Sequence, residues 1–260
     1  MMNQALRVTL TTATLSVLVL TALPAQAAAT ATERQQTVDA LVALTRGREI
    51  PPQLLTGDAV SGEDVFDVND VFTVLTHLSM EPGYVLDYVS QADSMGGHPV
   101  VYARPASAPS FASFDEYQSA LAAETSGEAA GSPPVEHLQT DGTEDGFFEL
   151  AVFLIMGEQF YLDWDTTHND TTVVCDTQGW ETALLVVDTS VQGIIMSVIE
   201  AIDISPQVVM DEETVDVRVV TFSKWGGFID TIHTFRREFP HEVMGTESSV
   251  LAEYDCDTIL

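Results

Sequence analysis

Lysine is almost missing from this chain. Lys224 is the only one, and lysine and arginine together number 9 against 40 aspartates and glutamates, a formal net charge of −31. A surface this acidic repels nucleic-acid phosphates and anionic lipid, so neither is an expected partner. Cysteine is nearly as scarce, with Cys175 and Cys256 alone, and two thiols cannot build a zinc knuckle. Beyond the N-terminal region no stretch offers the roughly 18 consecutive apolar residues of a membrane-spanning helix. Catalytic signatures are lacking too: there is no G-x-S-x-G elbow, H-E-x-x-H helix, P-loop or G-x-G-x-x-G turn, which removes the common motif-bearing enzyme classes.

What is present begins with an export signal. MMNQALR is a short basic start, residues 8–23 form an apolar h-region, and Ala25-Gln26-Ala27 is a small-x-small cleavage site. Residues 1–27 therefore read as a signal peptide and residues 28–260 as a secreted or periplasmic domain with no membrane span after cleavage. In an oxidising compartment Cys175 and Cys256 would form one disulfide, the alternative being two buried thiols. The acidity has two readings. Either the surface is adapted to salt, where charges are screened within a few ångströms, or part of it forms sites for a divalent cation such as calcium, the one cofactor the sequence suggests. Acidic residues spread along the whole chain favour salt adaptation.

Periodicity predicts a helix over residues 32–46 and a second one opening at Asp67 and stopped by Glu81-Pro82-Gly83. Strands are expected from Tyr84 and from Pro99 with Gly96-Gly97 as the turn, then a helix over residues 113–124 whose Ser113 and Glu116 form a capping box. Residues 147–156 are apolar without interruption and read as a strand buried on both faces. With Gly157-Glu158 as a turn and residues 159–164 as the returning strand, they form an expected central hairpin. A strand at 171–175, helices over 179–187 and 188–202, and strands at 215–221, 228–239 and 249–256 complete the pattern. The fold class is α+β, a mostly antiparallel sheet with several packed helices in a single domain.

The tail of that hairpin is the first candidate site. Asp163, Asp165, His168 and Asp170 are carboxylates and an imidazole within eight residues, a set able to hold a divalent metal or act as general acid and base. Tyr161, Trp164 and Asn169 would line a ligand site beside them. The plain alternative is a solvated loop. A second candidate is DGTEDGFFE at 141–149, which matches the start of a calcium loop at Asp141, Thr143, Asp145 and Glu149 but has Val152 where the bidentate Glu belongs. Further upstream, GDAVSGEDVFDVNDVFTVLTHL from Gly57 resembles a dockerin-type calcium segment over one loop and one helix. Its leading aspartates do not align without a gap and no second copy exists, so Asp67 reads as a helix cap. His98, Tyr102 and Arg104, together with Arg236-Arg237 between His233 and His241, form a possible anion anchor or a set of charges neutralising nearby carboxylates. With no catalytic constellation assembled, the expected function is a non-catalytic binding or interaction domain adapted to salt, with a small ligand or a protein as partner. The alternative is a divalent-metal-dependent hydrolase using residues 163–170.

Overall fold

The computed structural model describes residues 28–51, 66–93, 96–123, 131–161 and 170–254. Helix α1 (Ala31–Thr45) starts at Thr30, whose hydroxyl accepts from the Glu33 N–H while the Glu33 carboxylate returns to the Thr30 N–H. A 3-10 turn (Val68–Thr73) follows, capped by Asp67 as the sequence indicates. It stops well short of the expected second helix because residues 78–80 are drawn into a strand. That strand, β1 (Leu78–Met80), pairs antiparallel with β4 (Leu138–Thr140). Strands β2 (Tyr84–Asp93) and β3 (Gly96–Pro105) form a separate antiparallel ribbon in which Gly96 pairs with Asp93, so Gly96-Gly97 opens the second strand instead of making the turn. Helix α2 (Phe114–Ala123) covers this ribbon through an aromatic cluster of Tyr102, Phe111 and Tyr117. Its cap matches the expectation in part: Ser113 accepts from the Glu116 N–H, but the Glu116 carboxylate returns to the Ala112 N–H.

The main correction lies at residues 144–156, which form helix α3 (Glu144–Met156) and not a hairpin strand. Thr143 caps it by accepting from the Gly146 N–H, and Glu144 and Asp145 in the first turn suit the positive end of the helix dipole. A helix buried around its whole middle carries no polar stripe, so its sequence shows no 3.6-residue period and is easily taken for a buried strand. Residues 146–153 are all buried, among them Phe147, Phe148, Leu150 and Val152.

The third and largest sheet takes the order β5 (Thr172–Val174), β7 (Thr214–Ser223), β8 (Gly227–Arg236), β9 (Val243–Ala252), and β6 (Gln207–Met210) also pairs with β7. All of its pairings are antiparallel. Side chains alternate across β7. Val215, Val217 and Val219 enter the core built around α3, whereas Val220 and Phe222 enter a second core with α4 (Thr177–Leu184) and α5 (Thr189–Ile199). The sheet is thus covered on both faces at its centre, and the molecule is a single mixed α+β domain as the sequence pattern indicates. Helix α5 is only partly buried: Ile195 and Ile199 are in the core, but Ile194 is 67% exposed.

Candidate functional site

Helix α1 divides two clefts. The first, about 500 Å³, lies between the C-terminal half of α1, helix α4, strand β5 and the turn after β7. Two local features mark its walls. Gly179 lets α4 approach α1 closely, since a Cβ there would meet the Gln35 side-chain oxygen at 2.1 Å, and that oxygen accepts from the Cys175 N–H at 2.8 Å. Tyr161, buried with its hydroxyl accepting from the Phe66 N–H at 2.8 Å, holds φ at +52°, a left-handed conformation rare for an aromatic residue. Strain of this kind is sustained where surrounding contacts over-determine it, often at ligand sites. Val42, Ile50, Ala183, Val186 and Phe222 supply apolar walls.

Three of the nine basic residues meet in this cleft: Arg46, Arg48 and Lys224. Arg46 is half-buried, and its Nη2 donates to the Gln159 side chain, to the Thr172 hydroxyl at 2.7 Å and to the carbonyl of Asp170 at 3.2 Å. These acceptors are all neutral. Burial lowers the Arg46 pKa, and the charge of Asp170 works against that shift. Among the described residues, no acceptor reaches Nε or Nη1 of Arg46. The Lys224 ammonium stands 3.6 Å from Asp170 Oδ2, while Asp170 Oδ1 is buried with no hydrogen-bond partner among the described residues. Arg48 lies over the Phe66 ring, 4.4 Å from its centroid, and donates through Nε to the Leu44 carbonyl.

The second cleft, about 480 Å³, lies beyond the other face of α1 and is acidic, with Ala29, Glu33, Arg34, His77, Asp145 and Glu149 on its walls. Arg34 is buried and donates through Nε and Nη2 to Asp145 Oδ1 at 3.1 and 2.9 Å; Asp145 Oδ2 also accepts from the Ala29 N–H. Glu149 is 4% exposed and accepts from the His77 N–H at 2.7 Å. Burial is the main cause that pushes its pKa up to about 7. The His77 ring contacts Asp141 through Nδ1 at 2.7 Å, and this hydrogen bond raises the imidazole pKa. Asp141, Asp145 and Glu149 of this cluster were singled out from the sequence as a calcium-loop pattern, but Arg34 and His77, which hold them here, were not joined to them.

Of the candidate residues at 161–170, Tyr161 and Asp170 are described, and both line the basic cleft. Asp163, Trp164, Asp165, His168 and Asn169 lie outside the described residues. Among the described residues no three His, Cys, Asp or Glu side chains gather as a metal-binding group. Cys175 is buried, with its thiol pKa pushed far up by burial, and Cys256 lies outside the described residues.

The calcium-loop pattern at 141–149 dissolves into helix-start contacts. Asp141 accepts from Thr143 and His77, Thr143 is the cap, Asp145 holds Arg34, and Glu149 is buried against His77. Arg104 pairs with Asp87 on the neighbouring strand at 2.6 Å, and the Tyr102 hydroxyl accepts from the Phe111 N–H. Arg236 pairs with Glu242, and Arg237 donates to the Asp211 carbonyl. His233 stacks on Phe235, and His241 accepts from the Thr140 N–H. These cations and imidazoles serve the local fold, the plainer of the two readings given to them.

Compared with protein-family models, curated proteins and solved structures, the chain matches none.

Proposed function

We propose that this protein is an exported, salt-adapted binding domain and that the cleft between α1 and α4 is its ligand site. The observation that carries this reading is the gathering of Arg46, Arg48 and Lys224 around an apolar-walled cavity of about 500 Å³ in a chain of net charge −31. That volume falls within the range of small-molecule sites, which combine apolar walls with a few convergent polar groups. Export rests on the N-terminal signal pattern, and it would bring Cys175 and Cys256 to an oxidising compartment where they can pair. Salt adaptation rests on the excess of 40 acidic residues over 9 basic ones.

The test fills the cleft. Ala183→Trp should leave the fold intact and abolish the thermal upshift produced by any small molecule that stabilises the unaltered protein, because a ligand confined to the folded state must stabilise it. Turnover of ester, peptide, phosphate or glycoside substrates by the purified domain would overturn the non-catalytic reading. The alternative, a metal-dependent hydrolase built on Asp163, Asp165, His168 and Asp170, has the Asp170–Lys224 ion pair against it. It predicts loss of activity and of bound metal when Asp165 and His168 are replaced together.

A further inference from the structure

We infer that the ligand of the α1–α4 cleft is a small amphipathic monoanion, a single carboxylate or sulfonate on an apolar body, whose head group meets Arg46 and Lys224. The inference rests on the reading of this cleft as a binding site and adds the ligand's class. Arg46 carries its charge into a half-buried position on neutral acceptors, and its Nε and Nη1 meet no acceptor among the described residues. An unpaired, partly desolvated cation is costly, and an incoming anion relieves that cost with charge-assisted hydrogen bonds stronger than neutral ones. Lys224 adds a second positive charge, with Asp170 Oδ2 at 3.6 Å from its ammonium.

The same cleft sets an upper limit on ligand charge. Among the described residues, Asp39 and Asp170 stand on its walls beside the three cations, an excess of about one positive charge within a strongly negative protein. A polyphosphate or dicarboxylate would gain one favourable pairing and meet repulsion with every further charge. A neutral apolar molecule would leave Arg46 unpaired. The walls of Val42, Ile50, Ala183, Val186 and Phe222 accept hydrocarbon, and a cavity of about 500 Å³ has room for a head group and a body of roughly ten carbons.

Three probes of equal length separate the possibilities: octanoate, octylammonium and 1-octanol, titrated calorimetrically at fixed high ionic strength into the domain starting at Ala28. Octanoate should bind saturably and at least tenfold more tightly than the other two. Arg46→Gln should weaken octanoate about tenfold and leave octanol unchanged, and Ala183→Trp should abolish binding of both. Lys224→Gln, at a less enclosed position, should narrow the preference for octanoate over octylammonium and keeps the test decisive if Arg46→Gln does not fold. Equal affinity for octanoate and octanol, both lost in Ala183→Trp, would overturn the anion class while leaving the cleft a binding site. Octanoate binding unaffected by Ala183→Trp, or no saturable binding of any probe, would overturn the inference together with the binding reading.

Discussion

Helix α1 separates two clefts of nearly equal size, about 500 and 480 Å³, and offers an arginine to each. Glu33, Arg34 and Thr37 line the acidic cleft; Gln35, Asp39, Val42 and Arg46 line the basic one. Arg34 is saturated by the fold, forked onto Asp145 with a further bond to the Pro206 carbonyl. Arg46 touches only neutral acceptors and keeps two of its three guanidinium nitrogens unbonded among the described residues. The partner and not the residue type decides the role: an arginine against a buried carboxylate holds the fold, and one resting on carbonyls is available to a ligand.

The contrast breaks most visibly in stability. Arg34→Ala strands Asp145, whose side chain is 13% exposed, and should cost about 3 to 5 kcal/mol in urea unfolding, as for other buried ion pairs cut on one side. Arg46→Gln should cost only about 1 kcal/mol, since it leaves no carboxylate in need of a partner at bonding distance. Equal losses would erase the distinction between the two arginines.

The acidic cleft should also impose a pH slope that the basic one lacks. With its pKa raised from 4.5 to about 7, Glu149 is easier to protonate folded than unfolded, so the native state weakens as pH rises between those values. His77, raised from 6.5 by its bond to Asp141, contributes stability below its unfolded pKa that is lost as pH climbs through the folded one, a slope of the same sign. Glu149→Gln should therefore flatten the fall in stability between pH 5 and 7.5 and stabilise the protein at pH 8, by up to about 3 kcal/mol. Unchanged slopes in denaturation curves across that range would show that burial of this carboxyl costs nothing. A smaller effect belongs to the wall between the clefts. Gly179→Ala places a Cβ against Gln35 and should cost about 1 to 2 kcal/mol by overpacking. Weakest of all, Arg48→Gln on the exposed rim should move the unfolding midpoint by less than about 0.5 kcal/mol.

The sequence made some elements legible and hid others for physical reasons. Helix α1 and strands β7 and β8 have one wet face or end, so their periods survive, and the capping groups Asp67 and Ser113 announce helix starts. Helix α3 is buried throughout residues 146–153 and has no polar stripe, and only Thr143 with the acidic first turn marks it as helical. The cap was there to be read, but the apolar run outweighed it. Of the site, Tyr161 and Asp170 were singled out from the sequence, though for a metal loop and not for a cleft. Arg46 and Lys224 could not be joined to them in advance. They are 178 positions apart in the chain, and their meeting depends on β5 pairing with β7.

The most direct measurement is the nitrogen-15 NMR signal of the Arg46 Nε–H during titration with octanoate. If the cleft receives an anion on this side chain, that signal shifts saturably and sharpens while the Nε–H of Arg34, already held by Asp145, stays in place. An Arg46 signal that does not move while octanoate binds, or one that moves no more than that of Arg34, would contradict the account.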